Sequence, residues 1–290
     1  MIIPLDFQEL LPGQFYCIER AGGNFVPAEL QHFLRLAQYG DGLFESIRVE
    51  NSKAPFLSYH LDRLKASANT LKFKVEDTVW SLWELQLKRL TRQWDKPIRL
   101  KIVLTRTGPG LYTPENKEGI LLLKFEQLEA FKVEHAGVPL TMDRNEFHVN
   151  SLGNHKSCSA LPHVLSGIRS ESYGRLQTVQ HHMSRGVIEA QSSNIFMRMG
   201  NQLVTPHLAS GCLDGVMRKV ILEWCREFDL NPLERKVLPP ELDDADEIII
   251  CNAIHGPLPV VKFERRKLTD HALCDNSRKR YFEAFHGASS

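Results

Sequence analysis

The stretch Gly186-Val-Ile-Glu-Ala-Gln-Ser-Ser-Asn-Ile-Phe-Met-Arg-Met-Gly-Asn-Gln-Leu-Val-Thr205 decides the fold class. It holds short apolar runs at Val187–Ala190, Ile195–Arg198 and Gln202–Thr205, each of strand length. Gly200-Asn201 between the last two marks a hairpin turn. A helical period follows: Val216, Val220, Ile221 and Trp224 share a stripe over Gly215–Phe228. Working outward, Leu161–Tyr173 reads as a helix. Glu247–Cys251 is an apolar strand that stops at Asn252, and Asn276–Phe285 suits a short helix.

The first half has the same mixed grammar. Tyr39-Gly-Asp-Gly42 is a tight turn ahead of a strand, Leu43–Val49. Phe56-Leu-Ser58 reads as a short strand before a helix, Tyr59–Leu71, with Leu61, Leu64 and Ala68 on one stripe. Val75–Trp94 reads as a second amphipathic helix carrying Val79, Leu82, Leu85, Leu87 and Leu90. Ile98–Leu104 alternates as a half-buried strand. Gly108-Pro-Gly-Leu-Tyr-Thr-Pro114 is a loop, and Ile120–Phe125 another strand. Polar Glu126–Glu134 is a plausible linker. Strands and helices are interspersed in both halves, so two α/β domains are expected, residues 1–128 and 129–290.

Composition narrows the function. A chain of 290 residues is about two domains at roughly 150 residues each. Apolar residues are 42% and charged residues 24%, which excludes disordered and fibrous classes. Lys plus Arg (36) balances Asp plus Glu (35), so no basic excess speaks for a nucleic-acid partner. No apolar run approaches the ~18 residues of a membrane span, and the start, Met1-Ile-Ile-Pro-Leu-Asp-Phe, lacks the basic segment of a signal peptide. The six cysteines are dispersed, with no Cys-x-x-Cys pair, and read as reduced thiols of a cytoplasmic protein.

Several motifs fail on inspection. Gly40-Asp-Gly42 lacks the third glycine of a dinucleotide fingerprint and precedes a strand. Gly153-Asn-His-Lys-Ser157 has the Lys-Ser of a phosphate loop without its upstream glycines. His181 and His182 point to opposite sides of a strand, and no metal site is expected. Ser192-Ser-Asn194 lacks nucleophile-elbow glycines. What remains is Lys156 in a polar loop, Glu189 after a strand, Arg63 one helical turn after His60, and a helix starting near Gly215, where free N–H groups suit an anion. Taken singly, each reads as a solvated charge or an ordinary cap.

Together they carry a resemblance. Tyr39-Gly-Asp-Gly-Leu-Phe-Glu-Ser-Ile-Arg48, His60-Leu-Asp-Arg-Leu64, Lys156–Leu165, Glu189-Ala-Gln-Ser-Ser-Asn-Ile-Phe196, Thr205-Pro206, Leu213-Asp-Gly-Val-Met-Arg218 and Ile250-Cys-Asn-Ala253 occur in the order seen in class IV aminotransferases. These are the fold-type IV pyridoxal-phosphate enzymes: branched-chain and D-amino acid aminotransferases and aminodeoxychorismate lyase. The resemblance runs from about residue 38 to 260.

It implies a fold like that of D-amino acid aminotransferase, two α/β domains with pyridoxal 5'-phosphate between them, and a homodimer acting on a small amino substrate. Lys156 matches the lysine that forms the Schiff base and then moves the α-proton; only a neutral amine attacks an aldehyde. Glu189 matches the carboxylate that pairs with the pyridine nitrogen and keeps the ring an electron sink. Arg63 and the amides of Val216 and Met217 match the phosphate grip. Asn194, Asn252 and Ala253 complete the cofactor set. Arg48, Arg106 and Tyr112 are candidates for the substrate.

Within the family, branched-chain enzymes carry a tyrosine five residues after the lysine, where this chain has Leu161. Ile250-Cys-Asn-Ala253 with Pro259-Val260 resembles the lyase. The loop after Arg106 lacks the second arginine usual in lyase and D-enzymes. The resemblance therefore implies lyase chemistry first and transamination as the alternative. A non-catalytic cofactor-binding protein is the third reading.

Overall fold

The structure, a computed structural model, describes residues 10–147, 149, 151–172, 174 and 177–287. Residues 1–9, read above as no signal peptide, and Tyr173, the expected helix end, lie outside them. The chain forms two compact units.

The first unit comprises the described residues of 10–130 and 155–159. Its strands are β1 (Phe15–Ile18), β2 (Phe25–Pro27), β3 (Gly42–Val49), β4 (Ile98–Arg106) and β5 (Gly119–Gln127). They form one antiparallel sheet in the order β2-β1-β5-β4-β3. Its helices are α1 (Leu34–Tyr39), α2 (Leu57–Thr70) and α3 (Asp77–Thr91). On one sheet face, Leu43, Ile47, Leu100, Ile102, Leu121 and Leu123 pack with Leu61 and Leu64 of α2 and Trp83 and Leu87 of α3.

Two expectations shift here. Leu57 already belongs to α2, because it falls on the same buried stripe as Leu61 and Leu64. The buried stripe of α3 is Val79, Trp80, Trp83, Leu87 and Leu90, while Leu85 is 45% exposed. The two tryptophans supply the face that the leucine count had assigned to Leu82 and Leu85.

The second unit comprises the described residues of 131–154 and 160–287. Its described elements are β6 (Val138–Met142), α4 (Leu161–Ser172), β7 (Gln177–His182), β8 (Gly186–Ala190), β9 (Asn194–Met199), β10 (Gln202–Pro206), α5 (Val216–Trp224), β11 (Asn231–Arg235), β12 (Glu247–Asn252), β13 (Gly256–Phe263), β14 (Arg266–Lys267) and α6 (Ala272–His286). The sheet order is β11-β10-β9-β12-β13-β6-β7-β8, with β14 on β13. The β10–β11, β13–β6 and β6–β7 pairs are parallel and the others antiparallel. Met197, Val204, Ile248, Ile250 and Val260 centre its core. All six cysteines are free thiols. Among the described residues, no helix is long and apolar enough to cross a membrane.

Sequence order had assigned Lys156 to residues 129–290. Its segment instead clusters with the first unit, because it hydrogen-bonds to β3. Phe44 N donates to Lys156 O and Cys158 N to Gly42 O, both at 2.8 Å. β3 is the edge strand of its sheet, so this segment occupies the free edge.

Candidate active site

In the first unit, β3 presents its two sides to different partners, as a strand must. Lys156 Nζ lies 4.6 Å from the centroid of the Phe44 ring. Glu45, the next residue, is 1% exposed and meets α2. Its Oε1 accepts from Arg63 Nε at 2.8 Å, its Oε2 accepts from Arg63 Nη2, and His60 Nδ1 lies 2.7 Å from Oε2. His60 and Arg63 stand three apart on α2, so both reach one carboxylate. Burial alone raises the Glu45 pKa. The Arg63 charge and the hydrogen bonds from His60 and Arg63 outweigh it, and the pKa falls to about 2. Burial lowers the pKa of His60 despite Glu45, with Arg63 and Lys156 adding to the effect. A buried anion thus holds a buried guanidinium in a fixed pose, and the lysine's charge is felt from the same neighbourhood. Next to Lys156, His155 Nδ1 lies 2.9 Å from Ser67 Oγ of α2.

In the second unit, Glu189 ends the apolar run of β8 and is 6% exposed. Its Oε2 accepts from Asn194 Nδ2 at 3.2 Å and from Leu213 N at 3.1 Å. Asn194, at the start of β9, also donates to Leu213 O at 2.9 Å. The carboxylate, Asn194 and the loop before α5 form one bonded group. Gly215 is the N-cap of α5, and a Cβ there would come within 1.8 Å of Asn194 Oδ1. Only glycine lets the helix start so close to Asn194. No side chain caps α5, and Val216 and Met217 are its first two residues, so they open the helix with main-chain donors. Asn252 closes the turn between β12 and β13. Its Oδ1 accepts from Ile254 N at 3.0 Å and His255 N at 2.9 Å, and its Nδ2 donates to Ser193 Oγ at 3.1 Å. Ala253 follows in the same turn.

The three substrate candidates divide. Arg48, 5% exposed, donates to Glu50 at 2.7 Å and to Glu129 O at 2.6 Å, which anchors the end of its own sheet. Arg106 donates to Asp41 at 2.7 Å and to Leu71 O, and lies 3.8 Å over the Phe73 ring. Both arginines are buried in bonds within the first unit. Tyr112 is 90% exposed, its ring 5.7 Å from that of Tyr39.

Two groups were not singled out in the sequence. Glu45 sits at a core-facing position of an alternating strand, where a charge signals a buried partner. Arg35, 2% exposed, pairs with Asp41 at 2.8 Å and donates to Gly110 O at 2.9 Å and Leu111 O at 3.2 Å. It fixes the loop that carries Tyr112. Nothing in the sequence links Arg35 to that loop.

The groups present fit pyridoxal 5'-phosphate. The molecule asks for a primary amine, an acceptor for a ring N–H and donors for a dianion. The first unit offers the amine, Lys156, and a guanidinium donor, Arg63; the second offers the oriented Glu189 carboxylate and the uncapped start of α5. No group of three or more His, Cys, Asp or Glu residues suited to a metal occurs among the described residues.

Comparison with known proteins agrees. The family model "Amino-transferase class IV" matches residues 42–263. The chain is 26% identical over 235 residues to the aminodeoxychorismate lyase of Vibrio harveyi, covering 78% of this chain and 84% of the relative. It is 25% identical over 256 residues to the D-alanine aminotransferase of Staphylococcus aureus strain N315, covering 86% and 89%. Its fold matches the crystal structure of the branched-chain aminotransferase of Thermoproteus uzoniensis with a TM-score of 0.82, at 19% identity over 94% of this chain and 95% of the other. The chain belongs to the class IV aminotransferases, a family of pyridoxal-phosphate-dependent enzymes.

Proposed function

We propose that the protein removes pyruvate from 4-amino-4-deoxychorismate to leave 4-aminobenzoate, a step toward folate. The observation that carries this is the turn Ile250-Cys-Asn-Ala253, closed on itself by Asn252 and tied to Ser193. That sequence is the one that most resembles the lyase. The Vibrio harveyi lyase, similar over 84% of its length, supports the same reading. Leu161, five residues after Lys156, brings no hydroxyl where branched-chain enzymes have one.

When bound, pyridoxal 5'-phosphate supplies an electron sink for a bond broken at the substrate's α-carbon. The chain's own groups do the rest. Lys156 would hold the cofactor through Nζ and take the proton from that carbon. The neighbouring C–O bond then breaks, and the proton leaves with the enolpyruvyl group as pyruvate, so the substrate's ring becomes aromatic. The half-buried place of Lys156 against the Phe44 ring limits hydration of the amine. Glu189 accepts the ring N–H, oriented by Asn194 and Leu213 N. Arg63, held by Glu45, and the amides of Val216 and Met217 bind the phosphate. Asn252 and Ala253 would offer the groups of their turn to the phosphate and the substrate carboxylate. The products together contain all atoms of the substrate, so no oxidant or second substrate is needed.

Transamination is the second reading, favoured by the likeness to D-alanine aminotransferase over 89% of that protein. We further infer a homodimer in the cytoplasm, the location resting on the six free thiols. Reconstituted protein incubated with 4-amino-4-deoxychorismate tests the lyase reading: pyruvate and 4-aminobenzoate are expected in equal amounts. Keto-acid formation from an amino donor, with no 4-aminobenzoate, establishes the transaminase instead. Neither product, with the cofactor taken up, leaves the non-catalytic cofactor-binding reading.

A further inference from the structure

Helix α6 lies beyond residue 263, the last that the family model matches. It is nevertheless tied to the turn that carries Asn252 and Ala253. Tyr281, 0% exposed, donates its hydroxyl to Ala253 O at 2.8 Å. Its ring lies against Gly256, where a Cβ would stand 3.0 Å from ring carbons and where φ is +64°. One helical turn earlier, Arg278 donates to Pro257 O just past that turn, and to Lys132 O and Val133 O. The start of α6 is fixed as well: Glu247 Oε1 accepts from Cys274 N at 2.8 Å and Oε2 from Leu273 N at 3.2 Å. Glu247 opens β12 and Asn252 ends it. The helix therefore braces both ends of the strand that leads into the turn.

We propose that Tyr281 is a positioning residue: its hydroxyl and ring fix the backbone of the turn at Asn252–Gly256, and so the groups offered there to the cofactor phosphate and the substrate carboxylate. This rests on the ligand-binding role assigned to Asn252 and Ala253 above. Filling the core does not require the hydroxyl. The ring already packs 4.8 Å from Phe131 and 5.1 Å from Phe285, and phenylalanine fills the same space. The hydroxyl adds a bond to the carbonyl of Ala253, inside the turn itself.

The test compares wild type, Tyr281→Phe and the packing control Phe285→Leu, each as the full chain. Three readouts are needed: amide hydrogen exchange over residues 253–256, the Kd for pyridoxal 5'-phosphate by fluorescence titration, and the split between KM and kcat for whichever substrate the wild type turns over. Tyr281→Phe is expected to speed exchange in the turn and to raise Kd and KM by roughly 3- to 10-fold, the worth of one net hydrogen bond. Its kcat stays within about twofold, because Lys156 and Glu189 are untouched. Phe285→Leu is expected to lower Tm and leave Kd unchanged. Tyr281→Phe with wild-type exchange and wild-type Kd, whatever its Tm, overturns the proposal. A wild type that takes up no pyridoxal 5'-phosphate overturns the reading of the turn itself, and that arm separates the two failures.

Discussion

Glu189 and Glu45 show how one residue type does two jobs when its surroundings differ. Glu189 is buried and accepts from Asn194 and the Leu213 amide, which orient its carboxylate. Glu45 is buried against Arg63 and spends its charge within the protein. Glu189→Gln is expected to retain pyridoxal 5'-phosphate, since the phosphate donors remain, and to slow proton abstraction on the order of 10²-fold. A primary kinetic isotope effect with α-deuterated substrate checks this; an unchanged rate rejects the role. Glu45→Gln leaves Arg63 buried without its counter-charge, which costs on the order of 3–5 kcal/mol. Denaturant unfolding checks it. The pH sign follows from the lowered pKa of Glu45, about 2. Its contribution is present above the ordinary carboxylate value and is lost as pH falls from about 4.5 toward 2. Wild type is expected to lose stability over that window and Glu45→Gln to lose less.

At the scale of elements, α6 carries the opposite sign. Burial raises the pKa of Glu247 to about 7, against the Cys274 and Leu273 amides and the Arg198 charge, with Asp270 adding to the rise. Folding therefore favours the protonated acid. Glu247 contributes most below about pH 4.5, and that contribution is lost as pH rises through about 7. Glu247→Gln is expected to flatten the slope of Tm between pH 5 and 8, as scanning calorimetry can show; an unaltered slope refutes it. Elements also differ in how far the sequence revealed them. β3, β4, β9, β10 and α5 were legible because their apolar spacing is clean. β13 was not, because Pro257 and Pro259 lack the N–H that a strand ladder uses. Both precede Val260, where pairing with β6 begins, so neither needs to donate on that side. β11 was missed because Asn231-Pro-Leu-Glu-Arg235 is an edge strand with little buried surface. Of the candidate site, the family motifs marked Lys156, Arg63, Glu189, Asn194, Val216, Met217, Asn252 and Ala253. Arg35 and Tyr281 were illegible, because each acts through a partner distant in sequence.

For the whole molecule, the exposed apolar face of α4 matters most. Leu161, Val164, Leu165 and Ile168 are 66%, 53%, 44% and 60% exposed, and their spacing puts them on one stripe. Such a stripe is costly to leave in water and fits a self-complementary contact about a two-fold axis. Wild type is expected to be a dimer by light scattering, and Val164→Glu with Ile168→Glu a monomer; equal masses for the two reject this face as the interface. The central claim concerns Lys156. Its most direct test is borohydride reduction of the reconstituted protein, followed by peptide mass mapping. The account predicts the pyridoxyl mass on the tryptic peptide holding Lys156 and none in Lys156→Ala. A label on another lysine, or on no peptide, contradicts it.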